Sequence, residues 1–321
     1  MKILVVGVNN FGQKHLSGIK DMEISIVERK SDVIKRTKEK FDIENVYSSY
    51  DDAIKDNFDI VDLVVPHHLH REMAIKAMKA GSNVLVEKPI ATSIEDGKAM
   101  IGASKDYNVK FMVTDQYFFD PSVRSAVKMI KDNMIGRINT VIVRDQRLFE
   151  HEGWRVEQDK MGGGALIDGG IHYIDTMLNF GGDYESIHGK SMHGGSILSG
   201  EDTTVALFNF KNGSKGLFFY SWAYRNPPEL PAFEIIGDRG SIYEDPKSRT
   251  SWEVGTPKRT VYGDLILNGK NANVEKYDVY TAEIMEFAQC VRNNTEVPFP
   301  PELALRDLKA VLDIYSHILK H

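Results

Sequence analysis

The chain opens on a continuous apolar run, residues 3–6, of the kind a parallel strand buried on both faces requires. Gly7 and Gly12 then bracket a turn into a helix carrying Leu16 and Ile19. A second strand over Ile24, Ile26 and Val27 ends at Glu28, and Ser31 is placed to cap the helix after it. Further strands are predicted over 60–65, broken by Pro66, over 84–86 and over 110–114. Between them lie a helix over 71–80, ended by Gly81, and another capped by Ser93 with Glu95 and Asp96 in its first turn. Strands alternating with helices in this way imply right-handed crossovers and a doubly wound parallel sheet, an α/β Rossmann arrangement.

The pattern changes near Tyr117. A helix is predicted over 121–133, stopped by Gly136. Beyond Asp168 the chain turns strand-rich, with runs over 203–210 and 215–224 around Asn212-Gly213, a hairpin signal. Pro227, Pro228 and Pro231 mark a loop, and helices return over 280–292 and 302–319. This predicts a C-terminal α+β domain on an open, mostly antiparallel sheet. The expected division is a dinucleotide-binding domain over 1–118 and a substrate-binding and oligomerisation domain over 119–321.

Length supports two domains, since 321 residues exceed what one core usually serves. A net charge of −6 without a basic block argues against nucleic acid, and no apolar run approaches the roughly 20 residues a membrane helix needs. Cys290 is the only cysteine, which excludes an intrachain disulfide and fits a reducing cytoplasm; it reads as a small buried residue of a helix. The opening residues read as a strand and not as a signal peptide.

Three segments carry the chemistry. Gly7-Val8-Asn9-Asn10-Phe11-Gly12 follows a strand and opens a helix, with glycines in the outer places of G-x-G-x-x-G and Asn9 in the middle one. Such a turn brings backbone and a helix N-terminus up to a pyrophosphate, and asparagine tolerates the left-handed angles the middle place needs. Glu28 can accept hydrogen bonds from the adenosine ribose and repel a 2′-phosphate, which favours NAD; Arg29 and Lys30 leave NADP open. The second segment, Val86-Glu87-Lys88-Pro89, sets a lysine at a strand end. The third runs from Gly162-Gly163-Gly164 through Asp168 and His172 to Asp175. Ile167, Ile171, Ile174 and Leu178 form its apolar face, so Asp168, His172 and Asp175 fall together on the neighbouring face of a regular helix. A capped helix with an ordinary polar stripe is the plain alternative.

Those segments, with Val65-Pro66 and His70, Gly136-Arg137-Ile138, Trp154 and the run from Ile236 to Ser241, resemble the Gfo/Idh/MocA oxidoreductase family over the whole length. The resemblance implies an N-terminal Rossmann domain, a C-terminal α/β domain and a nicotinamide between them. Lys88 matches the lysine that contacts cofactor and substrate. Asp168 and His172 match the family's acid and histidine, the latter the proton-transfer residue in many members. Pro66, His67 and His70 then lie along the cofactor with Gly7, Asn9, Asn10, Phe11, Gly12, Glu28, Arg29, Glu87 and Lys88.

The expected mechanism has His172 take the hydroxyl proton as hydride leaves the same carbon, Lys88 stabilise the alkoxide, and Asp168 bind a substrate hydroxyl or hold the imidazole. Tyr117, Trp154 and Arg155 are further substrate contacts. His67, His68 and His70 suggest a metal only superficially, since no cysteine or paired acid completes a site, and none is expected. The expected substrate is a secondary alcohol or ketone of a sugar, cyclic polyol or sugar derivative, in a homodimer or homotetramer assembled through the open sheet. The alternatives are a reductase for a non-sugar diol or a C=N bond, and a non-catalytic dinucleotide-sensing regulator.

Overall fold

The computed structural model describes residues 1–251 and 253–316. In chain order the elements are β1 (Lys2–Val6), α1 (Phe11–Gly18), β2 (Glu23–Val27), α2 (Ser31–Lys38), β3 (Asn45–Tyr47), α3 (Tyr50–Ala53), β4 (Ile60–Leu63), α4 (His70–Lys79), β5 (Asn83–Glu87), α5 (Ile94–Asp106) and β6 (Phe111–Thr114). There follow α6 (Pro121–Lys131), β7 (Ile138–Gln146), α7 (Gln158–Met161), α8 (Ile171–Gly181), β8 (Tyr184–Met192), β9 (Thr203–Phe210) and β10 (Lys215–Ser221). The chain closes with β11 (Phe233–Gly237), β12 (Ser241–Asp245), β13 (Asp264–Leu267), β14 (Lys270–Asn271), α9 (Val279–Asn293) and α10 (Pro301–Ser316). The final part of the helix expected over 302–319 lies outside the described residues.

Two compact units result. The first comprises Met1–Asp115, Glu253–Pro257 and Asp278–Leu305; the second comprises Gln116–Trp252, Lys258–Tyr277 and Arg306–His321. In the first, six parallel strands run in the order β3-β2-β1-β4-β5-β6. Ile3, Leu4, Val5, Val61, Leu63, Val84, Leu85 and Val86 are wholly buried, each worth about 1.5–3 kcal/mol on transfer from water. Strand order reverses between β1 and β4, and ligands of such sheets bind at the carboxyl ends of strands at that point. Gly7 follows β1 and Pro66 follows β4 there. Helix α9 packs on α1 within this unit.

Ser93 caps α5 as expected, its hydroxyl accepting the Asp96 amide at 3.1 Å. Ser31 does not cap α2. It is the helix's first residue, and the preceding corner is closed by Glu28, whose carboxylate accepts the amides of Arg29 (2.8 Å) and Lys30 (3.0 Å).

The second unit carries a mixed sheet in the order β14-β13-β12-β11-β7-β10-β9-β8, antiparallel except for the β7–β10 pair. The hairpin at Asn212-Gly213 joins β9 to β10 with Leu217 opposite Leu207 and Phe219 opposite Val205. Helix α8, nearly all buried, packs against β7. Cys290, expected buried, is half-buried in α9 with its thiol donating to the Glu296 carbonyl, so it sits at the helix margin and not in the core.

Candidate active site

In the first unit the turn after β1 is built from glycine where nothing larger fits. Gly7 has φ +89°, and a Cβ there would lie 2.1 Å from the Val64 carbonyl oxygen; one on Gly12 would lie 2.0 Å from that of Gly7. The positive φ expected at Asn9 falls instead on Asn10 (φ 39°), the residue that immediately precedes α1. Asn9 and Asn10 are both exposed, and Phe11 opens the helix with the Lys14 ammonium 4.6 Å from its ring centre. Glu28, Arg29 and Lys30 lie at the β2 corner, the two bases exposed. This strand–turn–helix, with an acid at the end of the second strand, fits the pyrophosphate and ribose of a dinucleotide.

At the ends of β4 and β5, His67 is 3% exposed and its ring stands 5.6 Å from that of His70. His70 is wholly buried, with Nδ1 2.8 Å from the Pro89 carbonyl and Nε2 3.0 Å from that of Val65. Burial, then the neighbouring His67, push its pKa down to about 4. A neutral imidazole carries one N–H, so only one of these contacts is a hydrogen bond at a time. Glu87 and Lys88 are both buried, and the Lys88 amide donates to Glu87 Oε2 at 3.1 Å.

The second unit holds the acid and the histidine. Helix α7 ends at Gly162 (φ +83°), and after Gly163-Gly164 the chain enters a π-helical turn, Leu166–Gly170, before α8 begins. The regular helix expected through Asp168 is therefore corrected: Asp168 sits in a wider turn, a geometry common at functional sites. Distant groups fix it. Tyr315 Oη accepts the Gly164 and Ile167 amides (3.4 and 3.2 Å) and donates to Glu201 Oε1 (2.8 Å), which also accepts the Leu166 amide (2.8 Å). Gly169 must be glycine: a Cβ there would lie 2.0 Å from the Tyr220 hydroxyl and 2.7 Å from the Trp222 ring.

Asp168 is 3% exposed and accepts a hydrogen bond from Arg155 Nε at 3.0 Å, while the Arg155 guanidinium lies 4.5 Å from the Trp154 ring centre. His172, 5% exposed, is stacked on Tyr117 with centroids 4.2 Å apart and planes at 12°. All five second-unit residues expected from the sequence thus fall into two groups, Asp168–Arg155–Trp154 and His172–Tyr117. Asp175, expected beside them, turns to Arg306 (3.2 Å) and Asn179 (2.8 Å). Sequence reading passed over Tyr173, whose hydroxyl receives Tyr117 Oη (3.4 Å) and Arg147 Nη2 (3.1 Å), and Asp145, which pairs with Arg147 at 2.6 Å. Tyr262 meets the Tyr117 ring edge-on at 5.5 Å. Burial pushes the phenols of Tyr173, Tyr220 and Tyr262 well up, so all three stay protonated and able to donate. The only prior signal of this cluster was the density of aromatic residues along 117–119, 173, 220–224 and 262.

A Rossmann unit and an α+β unit carrying this acid and histidine define a class, the nicotinamide-dependent oxidoreductases. Residues 1–115 match the oxidoreductase family with an NAD-binding Rossmann fold, and residues 123–243 match the GFO/IDH/MocA C-terminal domain, so the chain belongs to the Gfo/Idh/MocA oxidoreductase family. Levoglucosan dehydrogenase of Pseudarthrobacter phenanthrenivorans is 29% identical over 258 residues, 71% of this chain and 66% of that protein, just under two thirds of its length. Trans-1,2-dihydrobenzene-1,2-diol dehydrogenase of Xenopus tropicalis is 24% identical over 302 residues, 92% of this chain and 84% of that protein. The solved structure of levoglucosan dehydrogenase in complex with NADH and levoglucosan shares the fold, with a TM-score of 0.84 at 22% identity over 100% of this chain and 97% of that one.

Proposed function

We propose that the chain transfers hydride between a nicotinamide dinucleotide and a secondary alcohol or ketone of a sugar, cyclic polyol or sugar derivative. The observations that carry this reading are the His172–Tyr117 stack and, four residues before His172 in the chain, an Asp168 held by Arg155: an acid and a base, both buried, in a unit rich in protonated phenols. Such groups suit a ligand that presents several hydroxyls. The levoglucosan dehydrogenase relative supports the sugar class, and the diol dehydrogenase relative supports a non-sugar diol as the second reading.

When bound, the dinucleotide supplies the hydride acceptor or donor. Gly7, Asn9, Asn10, Phe11 and Gly12 hold its pyrophosphate, and Glu28 its adenosine ribose, with NAD favoured because the carboxylate repels a 2′-phosphate. Pro66 and His67 would line its path, and the wholly buried His70 would act on it only through the Val65 and Pro89 carbonyls. His172 accepts the proton of the substrate hydroxyl in oxidation and returns it in reduction. Its ring is kept from rotating by Tyr117, so the proton-accepting nitrogen has a fixed direction. Asp168 accepts a hydrogen bond from a second substrate hydroxyl, with Arg155 keeping the carboxyl group aimed. Lys88 stabilises the substrate oxygen as it loses its proton.

The test is nicotinamide absorbance with purified protein against sugars, inositols, sugar acids and vicinal diols. Turnover on a sugar or polyol that disappears in His172→Ala and Lys88→Ala supports the reading; turnover on diols alone moves it to the second. Cofactor binding without turnover on any of them would identify a sensor.

Oligomerisation follows the same line of argument. Val205, Leu207 and Leu217 are 46%, 51% and 44% exposed on one face of β9 and β10, and apolar surface of that kind is normally covered. We infer a homodimer or homotetramer formed through that face. A monomer by light scattering would refute it. No helix among the described residues is long and apolar enough to cross a membrane, and a reducing cytoplasm fits the single cysteine.

A further inference from the structure

The first unit contains a buried ionisable cluster that the mechanism above does not use. His15, on α1, is wholly buried. Its Nδ1 lies 2.8 Å from Asp62 Oδ2 and its Nε2 lies 2.9 Å from Glu87 Oε1. Asp62 is the one charged residue of β4, in an otherwise apolar strand of the parallel sheet, and Glu87 is the last residue of β5. An acid buried there is tolerated only with a partner. Both ring nitrogens face carboxyl oxygens, so a ring carrying two protons donates in both contacts. Burial by itself lowers the pKa of His15, but Asp62 and Glu87 outweigh it and hold the ring well above the usual imidazole range.

A third acid completes the cluster. Glu283 on α9 is fully buried, and neither carboxyl oxygen has a hydrogen-bond partner among the described residues. Burial pushes it well up, so it is neutral beside an imidazolium and two carboxylates. Tyr280, one turn earlier on α9, stands 6.1 Å from the His15 ring. The second oxygen of Glu87 accepts the Lys88 amide. One side chain therefore links the helix of the dinucleotide turn, the middle of β4 and the backbone of the lysine.

We propose that His15 is a positioning residue: by holding Glu87 from α1 it fixes the end of β5 and so the direction in which Lys88 leaves the strand. The proposal deepens the reading of Lys88 given above and rests on it. Two conservative variants separate this role from simple packing. His15→Gln places an amide donor near the position of Nε2 and keeps the contact to Glu87. His15→Asn places one near Nδ1 and keeps only the contact to Asp62. A misdirected catalytic group costs rate more than binding, so His15→Asn should lower kcat by about tenfold to a hundredfold. In that variant the NAD Kd from calorimetry should stay within about threefold of wild type. His15→Gln should recover most of the kcat although both variants lose similar thermal stability. Equal kcat values in the two variants, or a wild-type kcat in His15→Asn, would overturn the proposal.

Two readouts need no turnover, and the first needs no variant. In the wild-type protein, the ¹⁵N resonances of His15 should show both ring nitrogens protonated at neutral pH; a neutral tautomer would overturn the proposal. The ¹³C resonance of reductively methylated Lys88, assigned by its loss in Lys88→Arg, should move in His15→Asn and not in His15→Gln. An unmoved resonance in both would overturn it. Because this signal requires no substrate, it stands or falls separately from the enzymatic reading.

Discussion

The two units hold their chemical groups by different means. In the first, the Glu87–Lys88 segment is fixed by buried charge: an imidazolium between two carboxylates, with a neutral acid beside it. In the second, His172 is fixed by ring packing, stacked on Tyr117, which Tyr262 meets edge-on, and Asp168 by an ion pair to Arg155. Buried charges are directional but strongly penalised when one partner is lost, whereas aromatic packing tolerates chemical change and resists added volume. Substitutions should therefore act through charge in the first unit and through shape in the second.

The largest expected effect lies at the base itself. His172→Ala should lower kcat by about a hundredfold or more while the far-ultraviolet spectrum stays native. A near-normal rate would remove His172 from the mechanism. Next comes Gly169→Ala, which adds only a methyl group but drives it against the Tyr220 hydroxyl and the Trp222 ring. It should lower unfolding stability by about 1–3 kcal/mol in a denaturant titration. An unchanged midpoint would show that the ring cluster yields to volume and would break the contrast between the units.

The pH response sharpens the charge side. The pKa of His70 is depressed to about 4 in the folded chain. Between the ordinary imidazole value and about 4, the unfolded chain binds a proton that the folded one does not, so stability is present above that range and falls as pH drops through it. At pH 5 this amounts to about 2 kcal/mol relative to pH 8. The stability gap between wild type and His70→Gln should shift by that amount across the range, and a constant gap would contradict the assignment. The smallest effect is at the β2 corner. Glu28→Gln should relax the preference for NAD over NADP by about tenfold, read from the ratio of kcat/KM values. An unchanged ratio would transfer the discrimination to Arg29 and Lys30.

Much of this was legible in the sequence because doubly buried parallel strands must be largely apolar runs: residues 3–6 of β1 and 84–86 of β5 are continuous ones, and β4 is interrupted only by Asp62. The Asn212-Gly213 hairpin and the Ser93 cap were legible because their signals are local. What stayed hidden depends on partners distant in sequence. The π turn at Asp168 is set by Tyr315 and Glu201, and Asp175 is drawn away by Arg306, 131 residues on. Periodicity alone therefore returned a regular helix with three polar residues on one face. The positive φ at Asn10 in place of Asn9 reflects a turn one residue different from the glycine-rich pattern. Of the His15 cluster the sequence held one trace, a single acid within the apolar run of β4, whose meaning appears only when α1 and α9 are folded against that sheet.

The most direct test of the central claim is steady-state nicotinamide turnover with wild type and His172→Ala side by side on a panel of sugars, cyclic polyols and diols, with cofactor affinity measured on both. The account requires turnover on at least one polyhydroxylated substrate in wild type, its loss in the variant, and equal cofactor affinity in the two. Equal turnover in both proteins, or bound cofactor with no turnover in wild type on any substrate, would contradict it.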